Sequence, residues 1–137
     1  MSRIVPNWVV RTVQSRASGL CEYCKIADSL MFVSFAIDHV IARQHRGTDS
    51  IDNLAWTCMC CNSLKGPNLS SIDPATGNLA YLFNPRKNKW SRHFVMQDGL
   101  IIPLSARGGA TLSLLNMNEY ETVALRKKYF ETNEFVP

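Results

Sequence analysis

Hydrophobic positions follow a helical period at the start of the chain and an extended one soon after it. Residues 6–18, PNWVVRTVQSRAS, carry apolar side chains at roughly helical spacing, which predicts a helix that begins at Pro6 and ends before Gly19. The run LMFVSFAIDHVI is rich in β-branched and aromatic residues, so it predicts a buried strand up to about His39. The polar, glycine-containing stretch ARQHRGTDSIDN then predicts a loop.

The pattern changes again after this loop. LAWT predicts a short strand, and CMCCNSLKG predicts a short helix that ends at Gly66. Turn-forming residues dominate positions 67–84, which predicts irregular surface chain. KWSRHFVMQDGLIIPL predicts a β-hairpin that turns at Asp98–Gly99. A final helix is predicted with Asn118 as its cap and Glu121 three residues later, so the fold class is α+β in a single domain, residues 1–137.

Composition narrows the function classes only in part. The apolar fraction is 46% and the charged fraction 19%, as in ordinary globular proteins. No apolar run reaches the ~20 residues of a membrane-spanning helix, and MSRIVPNWVV does not resemble a secretory signal. We therefore expect a cytoplasmic protein without a membrane partner, whose cysteines are reduced. The net charge of +4 is too small to establish a nucleic-acid partner by itself.

Four of the five cysteines form two C-x2-C pairs, Cys21 with Cys24 and Cys58 with Cys61. Each pair can supply two thiolates from one tight turn, and tetrahedral zinc takes four such ligands. The spacing therefore predicts a structural Zn2+ site, since four thiolates leave no position for a substrate. Disulfides, or a set of unrelated buried cysteines, are the alternatives. The fifth cysteine, Cys60, is predicted to be a small buried residue and not a ligand.

The segment between and around these pairs resembles the HNH endonuclease family, in the variant that carries four zinc-binding cysteines. The resemblance covers about residues 19–66 and lies in the motifs CEYC, DHV, DNL, CxxCN and KG. It implies a ββα-metal core over these residues, followed by a C-terminal extension over about residues 67–137 that holds the β-hairpin and helices. It also implies a metal-dependent endonuclease that hydrolyses phosphodiester bonds in DNA, which we expect to be duplex, by nicking or double-strand cleavage.

The resemblance assigns roles to four residues. His39 matches the general base that takes a proton from the attacking water, and Asp38 matches a ligand of the catalytic cation. Asn53 matches the residue whose amide fixes the base or its loop. Asn62 stands at the second ligand position, where the family's name gives a His. A carboxylate with an amide oxygen suits a hard cation, so Mg2+ or another divalent cation is expected as the catalytic cofactor.

Basic residues in the C-terminal half are candidates for contact with nucleic acid. Arg86, Lys87, Lys89 and Arg92 flank Trp90, a pattern typical of a phosphate-binding strip with a stacking platform. A solvated charged face around a core tryptophan explains the same pattern.

Lys65 is a further candidate phosphate contact at the end of a predicted helix, where a cation favoured by the helix dipole is the alternative. The final helix is expected to pack on the domain of a monomer, with a homodimer contact as the alternative.

Two other function classes are compatible with the sequence. A zinc-stabilised nucleic-acid-binding module would keep the four cysteines but need no catalytic residues. A redox or metal-storage protein would need reactive thiols and be indifferent to His39. The combination of Asp38, His39 and Asn62 within the cysteine frame favours the endonuclease.

Overall fold

The computed structural model describes residues 5–132. Within them, helices alternate with three two-stranded antiparallel sheets, which confirms the α+β class. The helices and strands are α1 Asn7–Arg16, β1 Ala36–His39, β2 Leu54–Thr57, α2 Met59–Lys65, β3 Ser70–Ile72, β4 Leu79–Tyr81, α3 Trp90–His93, β5 Phe94–Gln97, β6 Leu100–Pro103, α4 Ala106–Leu114 and α5 Tyr120–Thr132.

The first sheet and the helix that follows it form a ββα unit. β1 pairs with β2 in antiparallel register, with Asp38 opposite Ala55 and His39 opposite Leu54. α2 begins directly after β2, with Cys58 as its N-cap, and ends at Gly66, which has a positive φ of 50°. The polar loop between the strands contains short 3-10 turns at Arg43–His45 and Ile51–Asn53.

The N-terminal helix covers the outer side of this unit. Val9 and Val13 of α1 are buried and pack with Leu54 and Trp56 of β2. Arg16 adds hydrogen bonds to the carbonyl oxygens of Ile51 and Leu54, at 3.0 and 2.5 Å. The helix forms where the sequence predicted it, because its apolar face has a strand to cover. Residues 1–4, part of the stretch compared with a secretory signal, lie outside the described residues.

The strand predicted to run from residue 30 to about His39 is wrong before residue 36, where β1 begins. Residues 30–33 are exposed, and Phe32 is fully so. The reason is the length of the partner strand: β2 provides four residues before the chain turns at Cys58, so only Ala36–His39 finds hydrogen-bonding partners. The upstream apolar residues therefore have extended propensity but no strand to pair with.

Irregular chain was predicted for residues 67–84, and this is also wrong. β3 and β4 form a short hairpin that packs against α4. The close approach depends on Gly109, because a Cβ there would lie 2.1 Å from the Asp73 carboxylate. Strands of three residues carry too little periodicity to be detected from sequence.

The predicted hairpin is confirmed for β5 and β6, with Asp98 and Gly99 both at positive φ, as a type I′ turn requires. The first residues of that prediction are wrong, because Trp90–His93 form the short helix α3. The predicted helix cap is wrong by one residue. Glu119, and not Asn118, accepts hydrogen bonds from the backbone N–H groups of Glu121 and Thr122. The Asn118 side chain instead accepts from the Ile101 N–H and donates to the Ile101 carbonyl oxygen.

The C-terminal half packs on the cysteine-containing turn through one large core cluster. Trp90 is 8% exposed and donates from its indole N–H to the carbonyl oxygen of Tyr23 at 2.8 Å. Arg126 is fully buried and donates to the carbonyl oxygens of Cys24, Met117 and Gly99. Within residues 5–132, no helix has the length and apolar character needed to cross a membrane.

Candidate metal centre and catalytic cleft

The four paired cysteines come together in one buried cluster. Their Sγ atoms lie within 4.8 Å of one another, and all four side chains are at most 5% exposed. The first pair lies on a tight turn in which the Lys25 N–H donates to the carbonyl oxygen of Cys21 at 2.9 Å. The second pair starts α2, where the Cys58 Sγ accepts from the Cys61 N–H at 3.4 Å. The cluster is positioned to hold a metal ion.

The donor set and its spacing fit zinc. With Zn–S bonds of about 2.3 Å, tetrahedral geometry places the sulfur atoms about 3.8 Å apart. The Sγ atoms of Cys24 and Cys58 are separated by 3.7 Å. A site of four thiolates would be closed to substrate, so its role would be to join the turn at residues 21–24 to α2.

Cys60 does not take part in this cluster, in agreement with the prediction, but it is exposed and not buried. The expectation that it fills the core is therefore wrong.

An open cleft of about 400 Å3 lies beside the four-cysteine cluster, where β1 ends against α2. Asp38, His39 and Asn62 all line it, together with Arg43 and Gln44 of the loop. Three of the four residues to which the sequence assigned catalytic roles thus meet at one solvent-accessible place. β1 ends at His39, so adjacent side chains that leave a strand on opposite faces can both border the same opening.

Asp38 is held on the core side of the cleft. It is 5% exposed, accepts a hydrogen bond from the Tyr23 hydroxyl at 2.9 Å, and lies 3.1 Å from the Lys65 ammonium. Burial raises the pKa of the Asp38 carboxyl, and Lys65 and Tyr23 oppose this shift. One carboxylate oxygen contacts both Tyr23 and Lys65, and the other contacts Lys65 alone at 3.3 Å.

His39 is held from the opposite side by an acidic loop residue. Its Nε2 lies 2.8 Å from Oδ1 of Asp49, and the same oxygen accepts from Nε of Arg43 at 3.0 Å. The His39 side chain is 20% exposed. With Nε2 as the donor to Asp49, the other ring nitrogen, Nδ1, is the basic one.

Asn53 lies behind the cleft and holds the loop closed. Its Oδ1 accepts from the Ile41 N–H at 2.9 Å, and its Nδ2 donates to the carbonyl oxygens of Ile41 and Thr48 at 2.9 and 2.8 Å. Gly47 permits the tight path of the loop, because a Cβ there would lie 1.6 Å from the carbonyl oxygen of Ile41. The amide thus sets the path of the loop that carries Asp49.

The residues predicted to contact nucleic acid are not brought together. Lys65 is 2% exposed and bonds Asp38 and the carbonyl oxygen of His39, so its ammonium is not at the surface where a phosphate contact was predicted. It does lie in the last turn of α2, where the helix-dipole alternative places it. Trp90 belongs to the core, and its ring packs on Phe94 and so does not form an exposed stacking platform. Arg86 forms an ion pair with Glu22 in a mostly buried setting.

The other three basic residues of that segment, Lys87, Lys89 and Arg92, are exposed. They remain available to a ligand, but the predicted strip around a central aromatic does not exist as a unit.

Sequence reasoning missed Asp49, Arg43 and Tyr23 as members of the site. Asp49 and Arg43 are polar residues of a polar loop, so nothing in their spacing distinguishes them from neighbours that face solvent. Tyr23 stands between two cysteines of a metal-binding motif, and nothing in that motif indicates that its hydroxyl contacts Asp38.

Residues 21–68, about a third of the chain, match the family model described as HNH endonuclease. Comparison with curated proteins and with solved structures gives no significant match. The matched segment begins at the first zinc-site cysteine and ends just after α2, so it contains the whole ββα unit. Over these residues the chain therefore matches the HNH endonuclease family, and the same residues hold the four cysteines that are positioned to bind a metal.

Proposed function

We propose that this chain, whose residues 21–68 form an HNH domain, is a metal-dependent endonuclease that hydrolyses phosphodiester bonds in DNA. The observation that supports it most is the shared opening: Asp38, His39 and Asn62 line one cleft of about 400 Å3. Each of these side chains has a common structural explanation alone. Their convergence beside a buried four-cysteine cluster has no such explanation, because core packing does not require an imidazole and two oxygen donors at an open surface.

In this proposal His39 is the general base. Asp49 accepts a hydrogen bond from the Nε2–H group and fixes the ring, so Nδ1 is free to take a proton from the attacking water. Asn53 acts as a positioning residue, because it holds the loop on which Asp49 lies. Arg43 borders the cleft and is partly exposed, so its guanidinium is available to a phosphate oxygen.

Asp38 and Asn62 would hold a divalent cation such as Mg2+. When bound, that cation supplies charge neutralisation at the phosphate and stabilisation of the departing oxygen. Tyr23 and Lys65 hold the Asp38 carboxylate in place from the buried side, and Asp38 is among the residues that line the cleft. The four cysteines, with zinc, tie α2 and hence Asn62 to the rest of the unit.

One observation favours the alternative, a nucleic-acid-binding module without catalysis. The Lys65 ammonium lies 3.1 and 3.3 Å from the two carboxylate oxygens of Asp38 and so occupies part of the space around the proposed ligand. If Lys65 satisfies the carboxylate completely, a cation is not needed there. Cleavage assays separate the two functions.

The test is conversion of supercoiled plasmid by purified, zinc-loaded protein, with Mg2+ present or withheld. We expect nicked or linear plasmid with Mg2+ only, and loss of cleavage by about 100-fold or more in His39→Ala, since a general base contributes about that much. His45→Ala is the matched control, because His45 is exposed in the same loop and does not line the cleft. Protein that binds the plasmid but does not cut it with Mg2+ or Mn2+ would support the binding module.

A further inference from the structure

A second cavity, of about 260 Å3, lies on the other side of the two segments that form the catalytic cleft. Val40 and Ile41 border this cavity, whereas His39 and Ala42 border the cleft. The same alternation occurs at the end of α2 and just beyond it, where Lys65 and Asn68 face the cavity, and residues 66 and 67 face the cleft. The two spaces are therefore separated by the thickness of these segments, and Lys65 reaches from the cavity wall to Asp38.

The cavity combines an apolar floor with an exposed aromatic ring. Val40, Leu82 and Phe83 are buried residues that contribute the floor. Tyr81 at the end of β4 is 68% exposed, and the Arg107 guanidinium of α4 lies over its ring at 6.0 Å from the centroid. An exposed tyrosine with an arginine beside it presents a flat surface and a positive charge together.

Asparagine amides around the cavity are oriented by bonds to the protein. Oδ1 of Asn88 accepts from the Asn84 N–H at 2.9 Å and from Nη1 of Arg107 at 2.6 Å. Oδ1 of Asn84 accepts from the N–H groups of Arg86 and Lys87. Because both oxygens are engaged, these amides offer a ligand their NH2 groups.

Asn68 is oriented the other way. Its Nδ2 donates to the carbonyl oxygen of Lys65 at 2.9 Å, so the group it offers is an acceptor oxygen. The cavity thus presents fixed donors and one fixed acceptor around an apolar floor, which is the arrangement that recognises the polar edge of a planar ring.

We propose that this cavity binds one unpaired nucleotide of the DNA substrate, adjacent to the phosphodiester bond in the cleft. The proposal rests on the endonuclease function and specifies its substrate. The base stacks on Tyr81, the asparagines bond its edge, and Arg107 with the exposed Lys87 contacts the phosphate. The volume of about 260 Å3 lies just below the roughly 300–1000 Å3 of sites for drug-sized ligands, as expected for a single nucleotide.

The occupant is a nucleotide and not a small apolar molecule because of the charges at the rim. Three cationic residues, Lys65, Lys87 and Arg107, border the cavity; Lys65 is paired with Asp38, and no carboxylate is among the residues described as lining the cavity. A duplex could not use this space, since a base must leave its stack to enter a pocket of this size. The preferred DNA is therefore one in which a base is already unpaired, as at a bulge or a frayed end.

The aromatic ring, the arginine and the two donor asparagines come from residues 81–107, beyond the segment 21–68 that matches the family model. The C-terminal half would thus add substrate selection to a reaction site that the HNH domain provides.

The test is binding of the full-length, zinc-loaded protein to two labelled duplexes that differ by one extrahelical nucleotide, followed by fluorescence anisotropy. Ca2+ replaces Mg2+ so that the DNA is not cut. We expect the wild type to bind the bulged duplex at least about fivefold more tightly, and Tyr81→Ala to lose roughly 5- to 150-fold on that duplex, the range for base–aromatic stacking. Tyr81→Phe keeps the ring and should keep the preference.

Tyr120→Ala is the matched control, because Tyr120 is 84% exposed on α5 and does not border either space. Equal binding of the two duplexes by the wild type, or equal effects of Tyr81→Ala and Tyr120→Ala, would overturn the pocket proposal. Plasmid cleavage by the same preparations separates the two proposals. Cleavage without a preference for the bulge rejects the pocket alone, and a preference without cleavage rejects the endonuclease alone.

Discussion

Replacing Lys65 with Met should destabilise the protein by about 3–5 kcal/mol, the cost of leaving one member of a buried ion pair without its partner. The Lys65 and Asp38 side chains are 2% and 6% exposed, and the ammonium also donates to the carbonyl oxygen of His39 at 3.2 Å. Met preserves the aliphatic volume but leaves the Asp38 carboxylate buried with only the Tyr23 hydroxyl as a donor.

The double variant Lys65→Met/Asp38→Asn should recover most of this loss. Burial raises the pKa of Asp38 even with Lys65 beside it, so desolvation of the carboxylate outweighs the attraction. A neutral pair is then nearly as stable as the charged one, and the net cost should fall below about 1.5 kcal/mol, with a coupling energy of at least about 2 kcal/mol between the two positions.

Urea denaturation of zinc-loaded protein measures these free energies, and Lys128→Met provides the control at an exposed lysine. Mg2+ should raise the melting temperature of Lys65→Met, because the uncompensated carboxylate gains a cation, but should not raise that of the double variant. Additive effects of the two substitutions, or a cost of Lys65→Met below about 1 kcal/mol, would refute the reasoning.

Three further predictions concern the frame around the site. Cys58→Ser should lose the zinc and melt at a much lower temperature, whereas Cys60→Ser, at an exposed position outside the cluster, should retain both, as zinc analysis and thermal denaturation will show. Arg126→Met should cost about 3–5 kcal/mol in urea denaturation, against less than about 0.5 kcal/mol for Lys127→Met, because it leaves buried carbonyl oxygens without a donor. NMR titration should give Glu119 a pKa below its ordinary value, since two backbone N–H groups bond the carboxylate. The contribution of Glu119 to stability is then present above the pKa of the unfolded state and is lost as the pH falls through the pKa of the folded state.

The four-cysteine cluster and three of the residues that line the cleft could be predicted from sequence, because their signals are local. Two C-x2-C pairs fix four thiolates through short turns. Asp38 and His39 lie at the end of β1 and Asn62 lies in α2, and the pattern indicated the type of both elements. Cysteine, histidine and carboxylate residues at fixed spacing are uncommon by chance, so they indicate a site. The family resemblance over the same residues gave each of them a role to test.

What the sequence did not predict depends on long-range packing. The basic segment around Trp90 has the composition of a phosphate-binding strip, but the Trp90 indole bonds a residue 67 positions away and Arg86 pairs with one 64 positions away. The cavity at Tyr81 has the same origin, because it exists only where β4 and α4 meet the HNH domain. No window of the sequence contains those neighbours together.

The C-terminal half also contacts the candidate site, through the cysteine-containing turn at residues 22–24. Three of its side chains bond this turn: Arg86 pairs with Glu22, Trp90 bonds the carbonyl oxygen of Tyr23, and Arg126 bonds that of Cys24. The Tyr23 hydroxyl in turn donates to Asp38. The residues that satisfy the backbone of the turn therefore fix the tyrosine that positions the proposed metal ligand. The extension beyond residue 68 is thus part of the same core as the HNH domain, and the position of Asp38 depends on both.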